Sequence, residues 1–360
     1  MILLQRQITL VVCLLVAACF PPQTGYKPEY SLFGLFFPEY EQYAYLGGAN
    51  GLYAFSYNVE TGALAQIGSF AGADCTKGLA RHPNRPFLYC LAAIGGFDTI
   101  QVFAISKGSI SLASSVTLGD ANYAGLYPKP SGDFLVMGHA PPSELVAYRI
   151  NGDGTLTFAF LTGAGTGGAA SAFSHDGAYF YTRYGGNPSF REYAVGQNTM
   201  NLLGNLDPTD NTWSVVSTPD SRFVYVSTNA NAFVFSTGQG QATNFSLAAR
   251  TAVMPFTTTI INSISPDGRF AFYNQGSGGN NTGTFSIDQS TGALTQISNV
   301  NSVLYGTARI SPDGKFLFST VATQYETFSV SSTGMLTRVT SPITTGITTQ
   351  QPIVFFPFQK

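Results

Sequence analysis

The chain is predicted to be all-β: a seven-bladed β-propeller of four-stranded antiparallel blades, its ring closed by the C-terminal strand. Three observations carry this. A turn phrase recurs at a near-constant step, a second turn recurs in phase with it, and helical periodicity is absent after the N-terminus. The first phrase is clearest as Ser265-Pro266-Asp267-Gly268-Arg269-Phe270 and Ser311-Pro312-Asp313-Gly314-Lys315-Phe316. With four weaker copies, its second position falls at residues 83, 130, 175, 219, 266 and 312, in steps of 47, 45, 44, 47 and 46. A period of that size marks an array of one supersecondary unit.

Residues 261–298 illustrate the unit. A short run to Ser265 is followed by Pro-Asp-Gly, in which Pro presets φ, Asp can bond its own backbone and Gly takes positive φ. Phe270 to Asn274 is aromatic, as strands are. A Gly/Asn loop, a third strand, the turn Ser290-Thr291-Gly292 and a fourth strand complete it. The second turn returns as Thr61-Gly62-Ala63-Leu64, Asp153-Gly154-Thr155-Leu156 and Thr333-Gly334-Met335-Leu336. A four-stranded sheet with two apolar faces cannot bury them alone, and radial packing of copies solves that.

Sets of three outer strands begin near Ala44, Phe87, Phe134, Tyr179, Phe223, Phe270 and Phe316. Six have an inner strand directly before them. The first lacks one unless Leu32 to Phe37 serves. The final run Pro352 to Pro357 reads as a spare inner strand, expected to close the ring on the first outer set.

Residues 1–18 read as a signal segment: Arg6 precedes an apolar run, Ile8 to Ala18, too short to span a bilayer. It ends in Val16-Ala17-Ala18-Cys19, which resembles the lipobox of bacterial lipoproteins. The resemblance implies lipidation of Cys19 and a membrane anchor, in the outer membrane of a bacterial envelope. Residues 19–40 are then a lipidated tether, extended by Pro and Gly, and 41–360 the propeller. Charged residues are 10% of the chain and the net charge is −2. Removing Arg6 takes it to −3, which argues against nucleic acid as a partner. A monomer is expected. Cys75 and Cys90 fall in the second blade, where a hairpin turning at Pro83 to Pro86 sets Cys90 opposite residues 77–79. A disulfide between them and two separate buried thiols both stand open.

The loops joining blades, and those between second and third strands, should share one face, where sites usually sit. His139 is the histidine placed there, five residues from Glu144. His82 and His175 occupy the opposite-face turns. Arg309 and Arg81 sit in inner strands and must line the channel or find a carboxylate, while Arg183 ends a second strand. Trp213 opens an inner strand and is expected to pack. The Asp of each Pro-Asp-Gly turn is read as structural. Metal spacing, phosphate loops and nucleophile motifs are not seen, and no cofactor is expected.

The Ser-Pro-Asp-Gly-Arg/Lys-Phe phrase with its Thr-Gly-x-Leu turn resembles the lactonase-type seven-bladed propeller family, which includes 6-phosphogluconolactonase, and the repeat propellers built on Tyr-Val-Thr-Asn phrases. The resemblance implies a propeller and, among enzymatic members, lactone opening. Those members share a Pro-His-x-His phrase and an Asp-Leu-Gly-type loop. The corresponding stretches here are Asp120-Ala121-Asn122-Tyr123-Ala124-Gly125 and Met137-Gly138-His139-Ala140-Pro141, without those histidines. The leading expectation is therefore a non-enzymatic, membrane-anchored scaffold binding an unknown protein, small molecule or carbohydrate on its loop-rich face. The alternative is a lactone hydrolase using His139, Glu144, Arg183 and Arg309, favoured if those groups converge. Carbohydrate recognition is the weaker third reading.

Overall fold

Each repeat closes its first turn with its own side chains. The Ser265 hydroxyl donates to Asp267 Oδ1 (2.6 Å) and accepts the Phe270 N–H (2.9 Å), while Asp267 Oδ1 also accepts the Arg269 N–H (3.1 Å). Thr218 and Asp220, and Ser311 and Asp313, repeat the arrangement. These carboxylates are spent on turn geometry. His82 does the same work with a ring: Nδ1 accepts the N–H groups of Asn84 and Arg85 (both 3.0 Å), leaving Nε2–H to donate to Gly132 O of the next blade (3.1 Å).

The computed structural model describes residues 40–139, 144–163, 170–183, 190–206, 212–228, 232–237, 259–275, 281–302, 306–340, 343–349 and 353–359. The signal segment, Cys19, the tether and the run Leu32 to Phe37 lie outside them. The architecture is all-β, with seven blades of four antiparallel strands in a ring and no helix among the described residues. In blade 5 the described part holds three strands, and residues 238–258 lie outside the description. In blade 7 the run Phe316–Val330 doubles back on itself, because the Val330 N–H donates to Lys315 O (2.8 Å). It thus supplies both middle strands.

Closure follows the expected route. Val354–Gln359 pairs antiparallel with Tyr40–Gly48, with Phe356 opposite Tyr43 and Val354 opposite Tyr45. The first outer set starts at Tyr40, a little before Ala44. Seven buried apolar clusters follow, one in each seam between neighbouring blades. In the closing seam Tyr57 of blade 1 makes edge contacts with Phe316, Phe318 and Phe355 at 6.3, 5.8 and 5.4 Å. Each such pair contributes about 0.5–1.5 kcal/mol beyond its burial.

The two turns recur in phase because they touch. A Cβ on Gly62 would lie 2.5 Å from the Phe316 ring of the blade before it. Gly154 meets Phe87, Gly292 meets Phe223 and Gly334 meets Phe270 in the same way, at 2.7, 2.6 and 2.6 Å. The second turn of each of these blades is thus seated on the phenylalanine that follows the first turn of its neighbour. Gly292 also has φ of +72°. Gly292→Ala should therefore cost about 2–4 kcal/mol, from left-handed strain plus overpacking. Denaturant melts check this, and an unchanged midpoint would contradict the seating.

The Arg81 guanidinium lies 5.5 Å from the centroid of the Phe356 ring on the closing strand. One inner-strand expectation is corrected. Trp213 stands 45% exposed rather than packed, because the ladder slips between Thr212 and Ser214 and a bulge turns it out. Cys75 and Cys90 are joined by a disulfide. Cys90 pairs with Leu79, and the lead-in carrying Cys75 folds back to reach it.

Candidate functional site

Blade 3 positions its site residues by register. The hairpin turning at Pro130 to Gly132 sets Tyr123 opposite His139, and the next pairing sets Glu144 opposite His139. Tyr123, His139 and Glu144 therefore form one row across the three strands Tyr123–Pro128, Phe134–His139 and Glu144–Ile150. Leu135 and Met137, alternate residues on the strand of His139, belong to the core shared with blade 2. By the strand's twofold alternation His139 continues that row. It caps the apolar seam between blades 2 and 3 on the loop-rich face.

His139 is 7% exposed, and its imidazole is held on three sides. Nε2 meets Asp120 Oδ2 at 2.8 Å, from the loop joining blades 2 and 3. Nδ1 faces Glu144 Oε2 at 3.8 Å, too long for a direct hydrogen bond. Tyr123 stacks on the ring, centroids 4.3 Å apart and planes 13° from parallel. The hydrogen bond from His139 holds the Asp120 carboxyl below its ordinary range, helped by the Asn122 N–H (3.0 Å). Burial, and then the charge of Asp120, raise the Tyr123 phenol. An ionised Asp120 favours Nε2–H, which leaves the Nδ1 lone pair directed toward Glu144. That is the tautomer a general base needs.

Beneath the loop lies a second ion pair. Lys77 Nζ donates to Asp98 Oδ1 (2.6 Å) and to Ala121 O (2.9 Å), and the Asp98 side chain is wholly buried.

The four candidates do not all converge. His139 and Glu144 meet. Arg183 ends its strand on blade 4, four residues after Tyr179, at nearly the height of His139. Arg309 is lower: it pairs with Phe318, two residues after Phe316, whereas His139 lies five after Phe134. Three residues of strand place it about 10 Å further down the axis. There its guanidinium donates to Asn262 O of blade 6 and feels the Tyr127 phenol of blade 3 across the channel. Desolvation lowers its pKa and pushes Tyr127 up to about 12. Arg309 is thus a channel residue, apart from the histidine site.

Lys77 and Asp98 were not singled out from sequence, and Asp120 and Tyr123 stood out only as part of the stretch 120–125 that corresponds to the enzymatic members' motif. Counting hairpin register from the Pro130 turn would have set Ala124 opposite His139; a register shift between Ala124 and Tyr127 brings Tyr123 there instead. The Asp120 contact crosses from the blade-joining loop and has no such local signal. Among the described residues no cluster of His, Cys, Asp and Glu has the geometry to hold a metal.

Residues 35–175 match the family model described as "Lactonase, 7-bladed beta-propeller". The chain resembles the lactonase-type propellers. All members of the histidine cluster fall inside the matched stretch. Solved structures agree in fold. A protein of Bacteroides uniformis, provisionally named a 6-phosphogluconolactonase, is 16% identical with a TM-score of 0.72, over 88% of this chain and 99% of that one. The periplasmic gluconolactonase of Pseudomonas aeruginosa is 15% identical with a TM-score of 0.71, over 87% and 99%. A Lactobacillus plantarum protein is 13% identical with a TM-score of 0.72, over 88% and 100%. At such identities the likeness to these solved structures is one of fold. No curated protein sequence matches the chain.

Proposed function

We propose that the chain is a lactone hydrolase of the cell envelope, acting on a sugar lactone, with His139 as general base. The observation that carries this is the Asp120–His139 hydrogen bond with the other ring nitrogen turned toward Glu144. A water hydrogen-bonded to Nδ1 beside Glu144 gives its proton to Nδ1 and its oxygen to the lactone carbonyl carbon. The tetrahedral intermediate collapses with cleavage of the ring C–O bond. His139 returns the proton to the departing alkoxide, leaving an open hydroxy acid.

The sugar-lactone class rests on what the neighbours from Bacteroides uniformis and Pseudomonas aeruginosa are called. An envelope setting is supported by the Cys75–Cys90 disulfide, since such bonds persist in oxidising compartments. The lipid anchor at Cys19 belongs to the same proposal: fatty-acid labelling should be lost in Cys19→Ser. The hydrolase reading replaces the scaffold as the preferred one because His139 and Glu144 meet beside a third functional group. It is tested by pH-stat assay of the purified chain on a panel of sugar lactones and acyl-homoserine lactones. Turnover above buffer on a sugar lactone is expected, and none on any lactone would end the reading.

A further inference from the structure

We propose that Lys77 and Asp98, both from blade 2, are positioning residues that set the tautomer of His139 by fixing the loop that carries Asp120. The proposal rests on the reading of His139 as the proton carrier, and it concerns how that carrier is kept ready.

Asp98 grips the joining loop at both ends. Its backbone N–H donates to Asp120 O (2.8 Å) and its carbonyl accepts the Leu118 N–H (2.7 Å). Its carboxylate then reaches past Asp120 and accepts the Tyr123 N–H (2.9 Å). The loop is thereby tied on each side of Asp120, and Tyr123, the residue stacked on His139, is tied with it. Lys77 completes the grip, bonding Asp98 and the carbonyl of Ala121, the residue that follows Asp120. The lysine is itself held: it lies two residues beyond Cys75, whose disulfide anchors that lead-in to Cys90 on the next strand.

The chemistry of the arrangement is directional. Asp120 is 39% exposed at its side chain, so its own contact with His139 competes with water. A carboxylate in that position keeps a 2.8 Å bond only if its backbone is placed for it. Backbone placement comes from Asp98, which has no exposure, and from a cation that cannot leave without stranding a buried charge. With the loop loosened, neutral His139 can carry its proton on either nitrogen, and the Nδ1–H form is useless as a base toward the gap at Glu144. Neither Lys77 nor Asp98 touches the imidazole. They act through Asp120.

The test reads the tautomer directly, from imidazole 15N shifts of the histidine-labelled chain at neutral pH, with His139→Gln to assign the resonance. A single Nε2–H form is expected for the unaltered chain and its loss in Asp120→Asn. Lys77→Met should give a mixture of both tautomers. So should the double variant Lys77→Met with Asp98→Asn, which strands no charge and so guards against simple misfolding. Lactone kcat should fall about 10- to 100-fold in both, with KM little changed. A single Nε2–H form retained in both variants would overturn the proposal, whatever the rates do. If the unaltered chain turns over no lactone yet the tautomer depends on Lys77 and Asp98, the positioning role stands and the hydrolase reading falls.

Discussion

Glu192→Gln should make the chain more stable at pH 8 and leave it nearly unchanged at pH 4.5. Glu192 sits on Phe190–Val195, directly opposite Tyr181, on the face that Phe190 packs against blade 5. It is 2% exposed, and burial alone pushes its carboxyl up to about 8 from an ordinary 4.5. The folded state therefore keeps a proton that the unfolded chain has released. That contribution is fully present below pH 4.5 and is lost as pH rises toward 8. By linkage the loss amounts to roughly 2–4 kcal/mol at pH 8. Glutamine is isosteric with the protonated acid and has no proton to lose. Paired denaturant melts at the two pH values check this. An equal gain at both would assign the effect to packing, and no gain at pH 8 would mean that Glu192 is not the buried acid described.

Asp120→Asn should lower kcat by a factor on the order of 10²–10⁴ with little change in KM. The carboxylate does no covalent chemistry. It accepts the Nε2 proton, and an amide can instead present its NH₂ to the same nitrogen, forcing the proton to Nδ1. Loss of rate without loss of binding is the signature of a group that matters as the proton moves. A rise in KM at constant kcat would make Asp120 a binding residue instead.

The turns were legible because each carries its reason locally: Ser265, Asp267 and Gly268 each satisfy a stated backbone demand. Ring closure was legible because the inner strands and the outer sets fell out of step by one, and Val354–Gln359 was the strand left over. The pairing of Cys90 near residues 77–79 followed from one turn. Contacts that cross blades were not legible. Arg81 meets Phe356 because the first and last parts of the chain become neighbours only when the ring closes. Asp120 and His139 lie 19 residues apart on different segments, and Lys77 reaches Ala121 over 44. No periodicity reports such distances. The height of Arg309 is different in kind: it follows from counting residues out from its turn, and that count alone parts it from His139.

The most direct measurement is lactone turnover by the unaltered chain, His139→Gln and Arg309→Ala, side by side on the best sugar lactone of the panel. Chemistry at the seam between blades 2 and 3 predicts that His139→Gln loses activity by on the order of 10²-fold or more. Arg309→Ala, about 10 Å lower in the channel, should keep most of its kcat. The reverse pattern, with activity lost at Arg309 and retained without the imidazole, would place the reaction in the channel and contradict the assignment of His139.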